Sequence, residues 1–447
     1  MKTLVTLTSI VLATAASAQS YTSYLVGDVA DVETEPFNRT VLAGGGGDSD
    51  AAMISFLSAA DGGDVVVLRA SGSDGYNDYL YADLGITVNS VETIVFHDAS
   101  AAGEEYVQTQ IANAEAIFIA GGDQSVYVEY WKDNAIEDLL NNHEGPIGGT
   151  SAGMAILSET YFSAENGTVY SDEALEDPFN TYMTLGHNDF LTSPNVWWTT
   201  ITDTHLDDPD RKGRLLAFFA RKLALAEFDG DWGEYQMAIG CEEYTAFTAE
   251  IDVWWGIWEL PLFKVYGEYP AYDDYAYLIF PNCAYTTGGD PSEYLPEVLE
   301  PGQPLTWNQG ENAVNVLRVA GTEQGTLVEL QWNGNSVEGY QWQRWWVIEG
   351  ELFTEDVDEA PACGFPIHVD EVTGTPQTMD VYPNPANTGF SAAFPSGTPW
   401  RLSDASGRVV VEGTSTGETT VVDVQDLASG TYFLRAGSAV QRVQVAH

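Results

Sequence analysis

Residues 146–160 place the strongest constraint on what this chain can fold into. A short apolar run ends at Gly149, and Ser151 follows at the start of a helix-like pattern. The spacing Gly149-x-Ser151-x-Gly153 is that of a serine held on a tight strand-to-helix turn, where the residues two before and two after must be small. The helix that begins beneath such a serine offers free N–H groups to a developing oxyanion. The alternative is a glycine- and serine-rich turn without chemistry, and the surrounding pattern argues against it.

Strand and helix patterns alternate around this turn. Glycine turns follow two of the apolar strands, at Gly44–Gly47 and at Gly121-Gly122. Ligands of open parallel sheets bind at the carboxyl ends of the strands, so both turns and Ser151 are expected to line one crevice. The Gly44–Gly47 run is best explained by close backbone approach in the wall of a site. Strands are predicted at 40–43, 64–70, 91–97 and 114–120, and helices at 50–59, 126–142 and 214–225.

A histidine ends a later strand pattern. The alternating run 199–205 closes on His205, and a polar turn and a helix pattern follow. A histidine at such a strand end is well placed to act as a general base, although an isolated histidine is more often a core or surface residue. The sequence contains no H-E-x-x-H, C-x-x-C or G-x-G-x-x-G spacing. Neither a metal site nor a cofactor is therefore predicted.

The first residues are typical of a signal peptide. A basic Lys2, an apolar run and Ala16-Ser17-Ala18 predict export and cleavage after Ala18. The formal net charge is −51, from 67 acidic and 16 basic residues. This charge argues against nucleic acid and anionic membranes as partners, and a salty environment explains it better than a cationic substrate does. No later run is apolar enough to predict insertion into a membrane.

Changes in composition predict further domains. The tryptophan-rich part of the chain is interpreted as core packing, and Cys241 and Cys283 are the expected disulfide, with Cys363 left over. The predicted domains are a signal peptide at 1–18, an α/β catalytic domain at 19–240, a β-rich and aromatic-rich continuation at 241–350, an acidic linker at 351–378 and an all-β sandwich at 379–447.

Three motifs, in this order along the chain, resemble the cyanophycinase-like serine peptidases, peptidase family S51. They are Gly121-Gly122-Asp123-Gln124, the segment Gly149–Gly153, and Asp203-Thr204-His205 running into Asp210–Leu215. The resemblance covers about residues 36–350. It implies a flavodoxin-like α/β fold related to class I glutamine amidotransferases, with a parallel sheet and helices on both faces. It also implies a secreted serine hydrolase that cleaves peptide or isopeptide bonds next to acidic, aspartyl residues through an acyl-enzyme.

The resemblance gives each candidate site residue a role. Ser151 is the expected nucleophile and His205 the general base. The acid is expected between them in sequence, and Glu173 is the predicted residue, with Glu176 and Asp172 as alternatives. Backbone N–H groups of Gly122 and Ala152 are the expected oxyanion hole. Substrate or structural contacts are expected from Asp123, Gln124, Asp203, Arg211 and Arg214, a helix-start salt bridge being the other interpretation of Arg214.

The sequence departs from cyanophycinases proper at two positions near the histidine. Pro209 stands where another arginine is usual, and Thr204 replaces a common glutamine. The resemblance therefore implies an aspartyl or β-aspartyl peptide as substrate and leaves open whether cyanophycin itself is cleaved.

The C-terminal module resembles the type A sorting domain of the type IX secretion system of Bacteroidetes. The resemblance is carried by Tyr382–Ala386, Asp404–Arg408 and Leu427–Tyr432. It implies interaction with the secretion machinery and a secreted or cell-surface location. The alternative is a β-sandwich that packs on the enzyme or binds carbohydrate.

Two other functions are left open by the sequence. An α/β-hydrolase-type esterase shares the serine turn and the order serine, acid, histidine, but its H-G-G-G loop is absent. A non-catalytic surface or binding protein on the same fold is the second, suggested by the aromatic residues after position 242. The oligomeric state is also open, a homodimer included.

Overall fold

The computed structural model describes most of the chain from residue 19 onward. The described residues form two units, one within residues 1–366 and one within residues 367–447. The predicted signal peptide, Cys363 and Trp254, Trp255 and Trp258 lie outside them. No helix in the described part is long and apolar enough to cross a membrane. The described ranges are 19–191, 199–229, 236–252, 260–286, 289–328, 340–358, 361, 381–393, 397–404, 409–415, 417, 419–425, 427–436 and 439–446.

Helices and strands alternate through the first half of the first unit, and strands dominate its second half. The helices are α1 (Asp50–Ala59), α2 (Glu105–Asn113), α3 (Gln124–Trp131), α4 (Ala135–Asn141), α5 (Ala152–Ala155), α6 (Ser171–Glu176), α7 (Lys212–Asp229) and α8 (Cys283–Thr286). Single turns of π- or 3₁₀-helix occur at Tyr79–Asp83, Ala99–Gly103 and Pro291–Glu293. The strands are β1 (Tyr21–Gly27), β2 (Arg39–Ala43), β3 (Asp64–Arg69), β4 (Ser90–Phe96), β5 (Ala116–Ile119), β6 (Ile147–Thr150), β7 (Thr160–Phe162), β8 (Leu185–His187), β9 (Thr199–Asp203), β10 (Gln236–Cys241), β11 (Ala246–Asp252), β12 (Leu260–Tyr266), β13 (Tyr275–Pro281), β14 (Val314–Ala320), β15 (Thr326–Val328), β16 (Tyr340–Ile348) and β17 (Glu351–Val357).

The first of two sheets in this unit has nine strands in the order β1-β4-β3-β5-β6-β2-β11-β12-β15. The five strands from β4 to β2 are parallel, as the sequence predicts, and the others pair antiparallel. Side chains of β3 alternate between two hydrophobic clusters, as the period of a strand requires. Val65 and Val67 share one cluster with Phe56 of α1, whereas Val66 and Leu68 belong to the other.

The second sheet has eight strands in the order β17-β16-β14-β13-β10-β9-β7-β8, with β7, β9 and β10 parallel to one another. Ile239 of this sheet and Phe247 of the nine-stranded sheet share one buried cluster, so the two sheets pack together. Phe218 of α7 packs in another cluster with Ile201 and Ala238 of the eight-stranded sheet. The sequence predicts a single parallel sheet followed by a β-rich continuation, but strands after residue 241 complete both sheets.

Two predicted segments differ in the structure. The helix predicted over 126–142 is interrupted between α3 and α4. Asp133 has a φ of 60° there, and the Asn134 side chain accepts a hydrogen bond from Ile136 N at 3.0 Å, which starts a new helix. The predicted linker begins too early, because residues 351–357 form β17, which pairs antiparallel with β16.

The cysteine prediction is wrong. Cys241 is a free, buried thiol, and burial raises its pKa to about 12. Cys283 is disulfide-bonded, so its partner is not Cys241. The interpretation of the tryptophans as core holds for those described. Trp345 is fully buried, and Trp342 and Trp346 pack against the same hydrophobic clusters as partly buried side chains.

A partly buried histidine in the first unit makes the stability depend on pH. Burial lowers the pKa of His143 from 6.5 to about 4, and its Nε2 lies 3.2 Å from the carbonyl oxygen of Pro146. Between these pH values the unfolded chain binds the proton and the folded chain does not, so the free energy of unfolding rises with pH across this window. His143→Gln is expected to remove up to about 3 kcal/mol of this rise. Urea unfolding of the wild type and of His143→Gln at several pH values measures this difference. An equal change in the free energy of unfolding with pH for the two proteins would contradict the prediction.

The described residues of the second unit form strands and the connections between them. The strands form two antiparallel sheets, ordered β18-β19-β22 and β21-β20-β23-β24. Phe390 of the first sheet and Leu402 and Leu434 of the second share one buried cluster, so the sheets pack as a small sandwich. The strands are β18 (Val381–Tyr382), β19 (Gly389–Ala393), β20 (Pro399–Asp404), β21 (Val409–Thr414), β22 (Thr419–Asp423), β23 (Gly430–Ala436) and β24 (Ala439–Val445).

Candidate active site

Ser151 occupies the turn between β6 and α5, as the sequence predicts. Its φ of 52° and ψ of −115° are strained for a residue with a side chain, and such strain is typical of functional sites. A Cβ on Gly149 would lie 2.5 Å from the backbone of Gly153, and a Cβ on Gly153 would lie 2.1 Å from the carbonyl oxygen of Ile119. Both small residues are therefore required by the close packing of this turn.

His205 lies two residues beyond the end of β9 and reaches Ser151 from the second sheet. Its Nε2 is 2.8 Å from Ser151 Oγ. His205 also has a positive φ, of 52°, and its backbone N–H donates to the carbonyl oxygen of Gly44 at 2.9 Å. The loop after β2 thus fixes the histidine backbone. The predicted pairing of Ser151 with His205 is present in the structure.

The acidic residue next to His205 is Glu243. Its Oε1 lies 2.6 Å from Nδ1 of His205, on the far side of the ring from Ser151. Glu243 belongs to residues 242–245, which connect β10 of the eight-stranded sheet with β11 of the nine-stranded sheet. We call these four residues the crossover. The backbone N–H of Glu243 donates to Oδ1 of Asp207 at 2.9 Å.

The structure does not bring Glu173 to His205, which corrects the predicted acid. Glu173 lies in the first turn of α6, and its Oε2 accepts a hydrogen bond from the backbone N–H of Tyr170 at 3.0 Å. This is the helix-capping role typical of a glutamate three residues after a cap. The alternatives Asp172 and Glu176 are exposed on the same short helix.

The Gly44–Gly47 run forms one wall of the site, as predicted from its composition. Gly45 has a φ of 99°, and a Cβ there would lie 2.4 Å from Nε2 of His205. A Cβ on Gly46 would lie 2.8 Å from the side chain of Glu243. Side chains at these positions would displace the histidine and the glutamate, so glycine is required for this contact.

The expected oxyanion donors lie beside the serine. Ala152 is the first residue of α5, so its N–H belongs to the helix end that lacks intrahelical acceptors. Gly121 precedes Gly122 after β5, and a Cβ on Gly121 would lie 3.5 Å from Cβ of Ser151. Gly122 is exposed at the same strand ends.

Comparison with family models gives two matches. Residues 75–218 match the model described as peptidase family S51, and residues 380–445 match the secretion system C-terminal sorting domain. The chain carries a family S51 peptidase domain. A C-terminal sorting domain follows it and indicates secretion to the medium or the cell surface, by interaction with a secretion system. The comparison with curated proteins finds no match.

Solved structures with similarity to the chain include three of different kinds. A crystal structure of a peptidase from an acI-B1 Actinobacterium is 11% identical, with a TM-score of 0.36 and coverage of 52% of this chain and 89% of that one. A thermostable endoglucanase mutant from Alicyclobacillus acidocaldarius is 23% identical, with a TM-score of 0.14 and coverage of 16% and 15%. PorZ, a type IX secretion surface component of Porphyromonas gingivalis, is 11% identical, with a TM-score of 0.14 and coverage of 45% and 37%.

Asp203 and Arg214 of the S51 domain bind each other and are not free to contact a substrate in the crevice. Arg214 donates from Nε to Asp203 Oδ2 at 2.8 Å and from Nη2 to Oδ1 at 2.6 Å. The side chain of Asp203 is only 1% exposed and that of Arg214 only 3% exposed. The substrate contact predicted for them is corrected, and the salt-bridge interpretation of Arg214 applies. The pair joins the end of β9, two residues before His205, to α7.

Arg211 differs from Arg214 in its pairing. Its Nη1 donates to the carbonyl oxygen of Thr204 at 3.2 Å, while its buried Nε has no hydrogen-bond partner among the described residues. Burial, and next the charge of Arg214, lower the pKa of Arg211.

Asp123 and Gln124 lie at the end of the strand that carries Gly122. Asp123 caps α3, because its Oδ1 accepts from Ser125 N at 3.0 Å and from Ser125 Oγ at 2.6 Å. Gln124 is the first residue of α3 and is partly buried. The capping bonds explain Asp123 as a structural residue of the S51 domain, and a substrate contact of Gln124 remains a prediction.

Proposed function

We propose that this protein is a secreted serine peptidase that cleaves a peptide or isopeptide bond next to an aspartyl residue. The observation that carries the proposal is the continuous contact from Ser151 Oγ to His205 Nε2, at 2.8 Å, and from His205 Nδ1 to Glu243 Oε1, at 2.6 Å. A nucleophile, a base and an orienting acid in this arrangement are the requirements of acyl transfer.

The proposed reaction has two halves. Ser151 Oγ attacks the carbonyl carbon while His205 Nε2 takes its proton, and the Glu243 carboxylate holds the imidazole tautomer and stabilises the imidazolium. The N–H groups of Gly122 and Ala152 stabilise the oxyanion. His205 then gives the proton to the leaving amine as the acyl-enzyme forms. Water, deprotonated by His205, attacks the ester and releases Ser151 with its hydrogen.

The proposed preference for an acidic residue rests on Arg211. Some other described cations pair with carboxylates, as Arg39 does with Glu250 and Lys132 with Asp189. Arg211 bonds only to a carbonyl oxygen and keeps a buried donor unpaired among the described residues. A guanidinium with a spare donor matches a carboxylate. The Ser151–His205–Glu243 contact favours catalysis over the binding-protein alternative.

A fluorophosphonate probe tests the proposal on the full chain in high salt. We expect an adduct on Ser151, located by mass spectrometry, that Ser151→Ala abolishes and that His205→Ala slows by at least about 10³-fold. Aspartyl and β-aspartyl peptides are then compared with their asparaginyl counterparts and with simple esters. Faster cleavage of the aspartyl set supports the substrate assignment, whereas a folded protein that is neither labelled nor active on any of them would refute the peptidase.

A further inference from the structure

Glu243 reaches His205 only because of the path of the crossover. Residues 242–245 leave the eight-stranded sheet and enter the nine-stranded sheet. Tyr244, next to Glu243, has a φ of 59°, which is unusual for an aromatic residue, and its N–H donates to the carbonyl oxygen of Gly45 at 2.9 Å. A segment with such a backbone needs fixed contacts at both ends to keep one conformation.

Glu242 supplies those contacts on the side of the eight-stranded sheet. Its side chain is 5% exposed, and both carboxylate oxygens accept hydrogen bonds from β13. Tyr277 Oη donates to Oε1 at 2.8 Å, and Tyr275 N donates to Oε2 at 3.0 Å. The backbone N–H of Glu242 donates to the carbonyl oxygen of Tyr275 at 3.0 Å. Three hydrogen bonds therefore fix the residue that precedes Glu243.

The surroundings of Glu242 are costly for a carboxylate. Burial raises its pKa to about 7, opposed by the Tyr277 hydrogen bond and the charge of Lys212. Lys212 begins α7 and lies with its Nζ 5.2 Å from the centre of the Tyr277 ring. A buried acid is tolerated where its acceptors are used. Two donors converge here, one on each oxygen, and a glutamine would offer only one acceptor oxygen.

We propose that Glu242 is a positioning residue, which holds the crossover against Tyr275 and Tyr277 and thereby keeps Glu243 Oε1 in contact with His205 Nδ1. This inference rests on the proposed function, since it assigns Glu242 an effect on a base that Glu243 orients. Glu242 touches neither Ser151 nor His205 by any contact of the described residues, so its effect passes through Glu243.

The test measures the rate at which a fluorophosphonate inactivates the full chain, as a function of the fluorophosphonate concentration. This dependence gives the maximal rate and the concentration of half-saturation separately. Glu242→Gln is expected to lower the maximal rate about 10-fold, by shifting Glu243, and to leave half-saturation within about twofold. Tyr277→Phe removes only the donor to Oε1 and is expected to have a smaller effect of the same kind. In a Glu243→Gln background, Glu242→Gln is expected to change the rate by less than about twofold.

Glu115→Gln is the matched control, because it makes the same chemical change. Glu115 is also a buried acid, 8% exposed, but its Oε2 accepts from Asp64 N at 2.6 Å, just before β5 and at the opposite end of that strand from Gly121. We expect the control to label at the wild-type rate.

Two results would overturn the inference: wild-type labelling by folded Glu242→Gln, or a Glu242→Gln effect that persists undiminished beside Glu243→Gln. If Glu242→Gln does not fold, wild-type labelling by Tyr277→Phe overturns it instead. A wild-type protein that is not labelled would refute the peptidase itself, which is a separate result.

Discussion

Glu243→Gln is expected to lower kcat by about 10³- to 10⁴-fold, while Glu173→Gln leaves kcat within about twofold of the wild type. An amide in place of the Glu243 carboxylate can direct an N–H at Nδ1 of His205, now 2.6 Å from Oε1. The imidazole would then carry its proton on Nε2 and could not accept the proton of Ser151. The imidazolium would also lose its counter-charge, so the loss appears in kcat more than in KM.

Glu173→Gln is the matched control for that experiment, because it makes the same chemical change in the predicted but displaced acid. The amide oxygen can still accept from Tyr170 N, as the carboxylate does at 3.0 Å. Steady-state kinetics on an aspartyl peptide and the rate of fluorophosphonate labelling measure both variants, with thermal unfolding to establish that each is folded. A large loss in Glu173→Gln together with an active Glu243→Gln would reverse the assignment.

Arg214→Met is expected to reduce the free energy of unfolding by about 3–5 kcal/mol, because it leaves the Asp203 carboxylate buried without its counter-charge. Asp203 is 1% exposed and accepts two of the hydrogen bonds that the Arg214 guanidinium donates. Asp203→Asn is expected to be nearly as destabilising. The double variant is expected to lose at least about 2 kcal/mol less than the sum, since neither partner then leaves an isolated charge.

Arg221→Met on the same helix is the control for the ion pair. Arg221 is partly buried and donates to the carbonyl oxygens of Pro178 and Met183. Its removal therefore leaves no buried carboxylate without a counter-charge. A loss of about 1–2 kcal/mol is expected. Urea unfolding followed by tryptophan fluorescence compares the variants. Equal losses for Arg214→Met and Arg221→Met would show that the buried charge of Asp203 is not the cause.

Local patterns predicted the parts of the site that local geometry determines. The G-x-S-x-G spacing located Ser151, because the packing of Gly149 and Gly153 is a property of a few neighbouring residues. The strand end before His205 and the glycine run 44–47 were recognisable for the same reason. Helix α1 begins and ends at the predicted residues, Asp50 and Ala59.

The acid was missed because its position depends on strand pairing that the sequence does not display. Glu243 follows β10, and β10 pairs in parallel with β9, which leads to His205. The available signal was a carboxylate shortly after the short run Met237–Gly240, but nothing local indicates which strand lies beside β9. The same non-local pairing hid the second sheet, and it placed residues 351–357 in β17.

The crossover also determines when the chain can become reactive. Ser151 stands after a strand of one sheet, His205 after a strand of the other, and Glu243 on the segment that joins them. No single sheet contains the set, so a chain in which only one sheet has formed holds a serine without an oriented base. Reactivity of Ser151 would therefore report that the two sheets have docked. By the proposed mechanism, a chain that has not reached this stage would not cleave peptides.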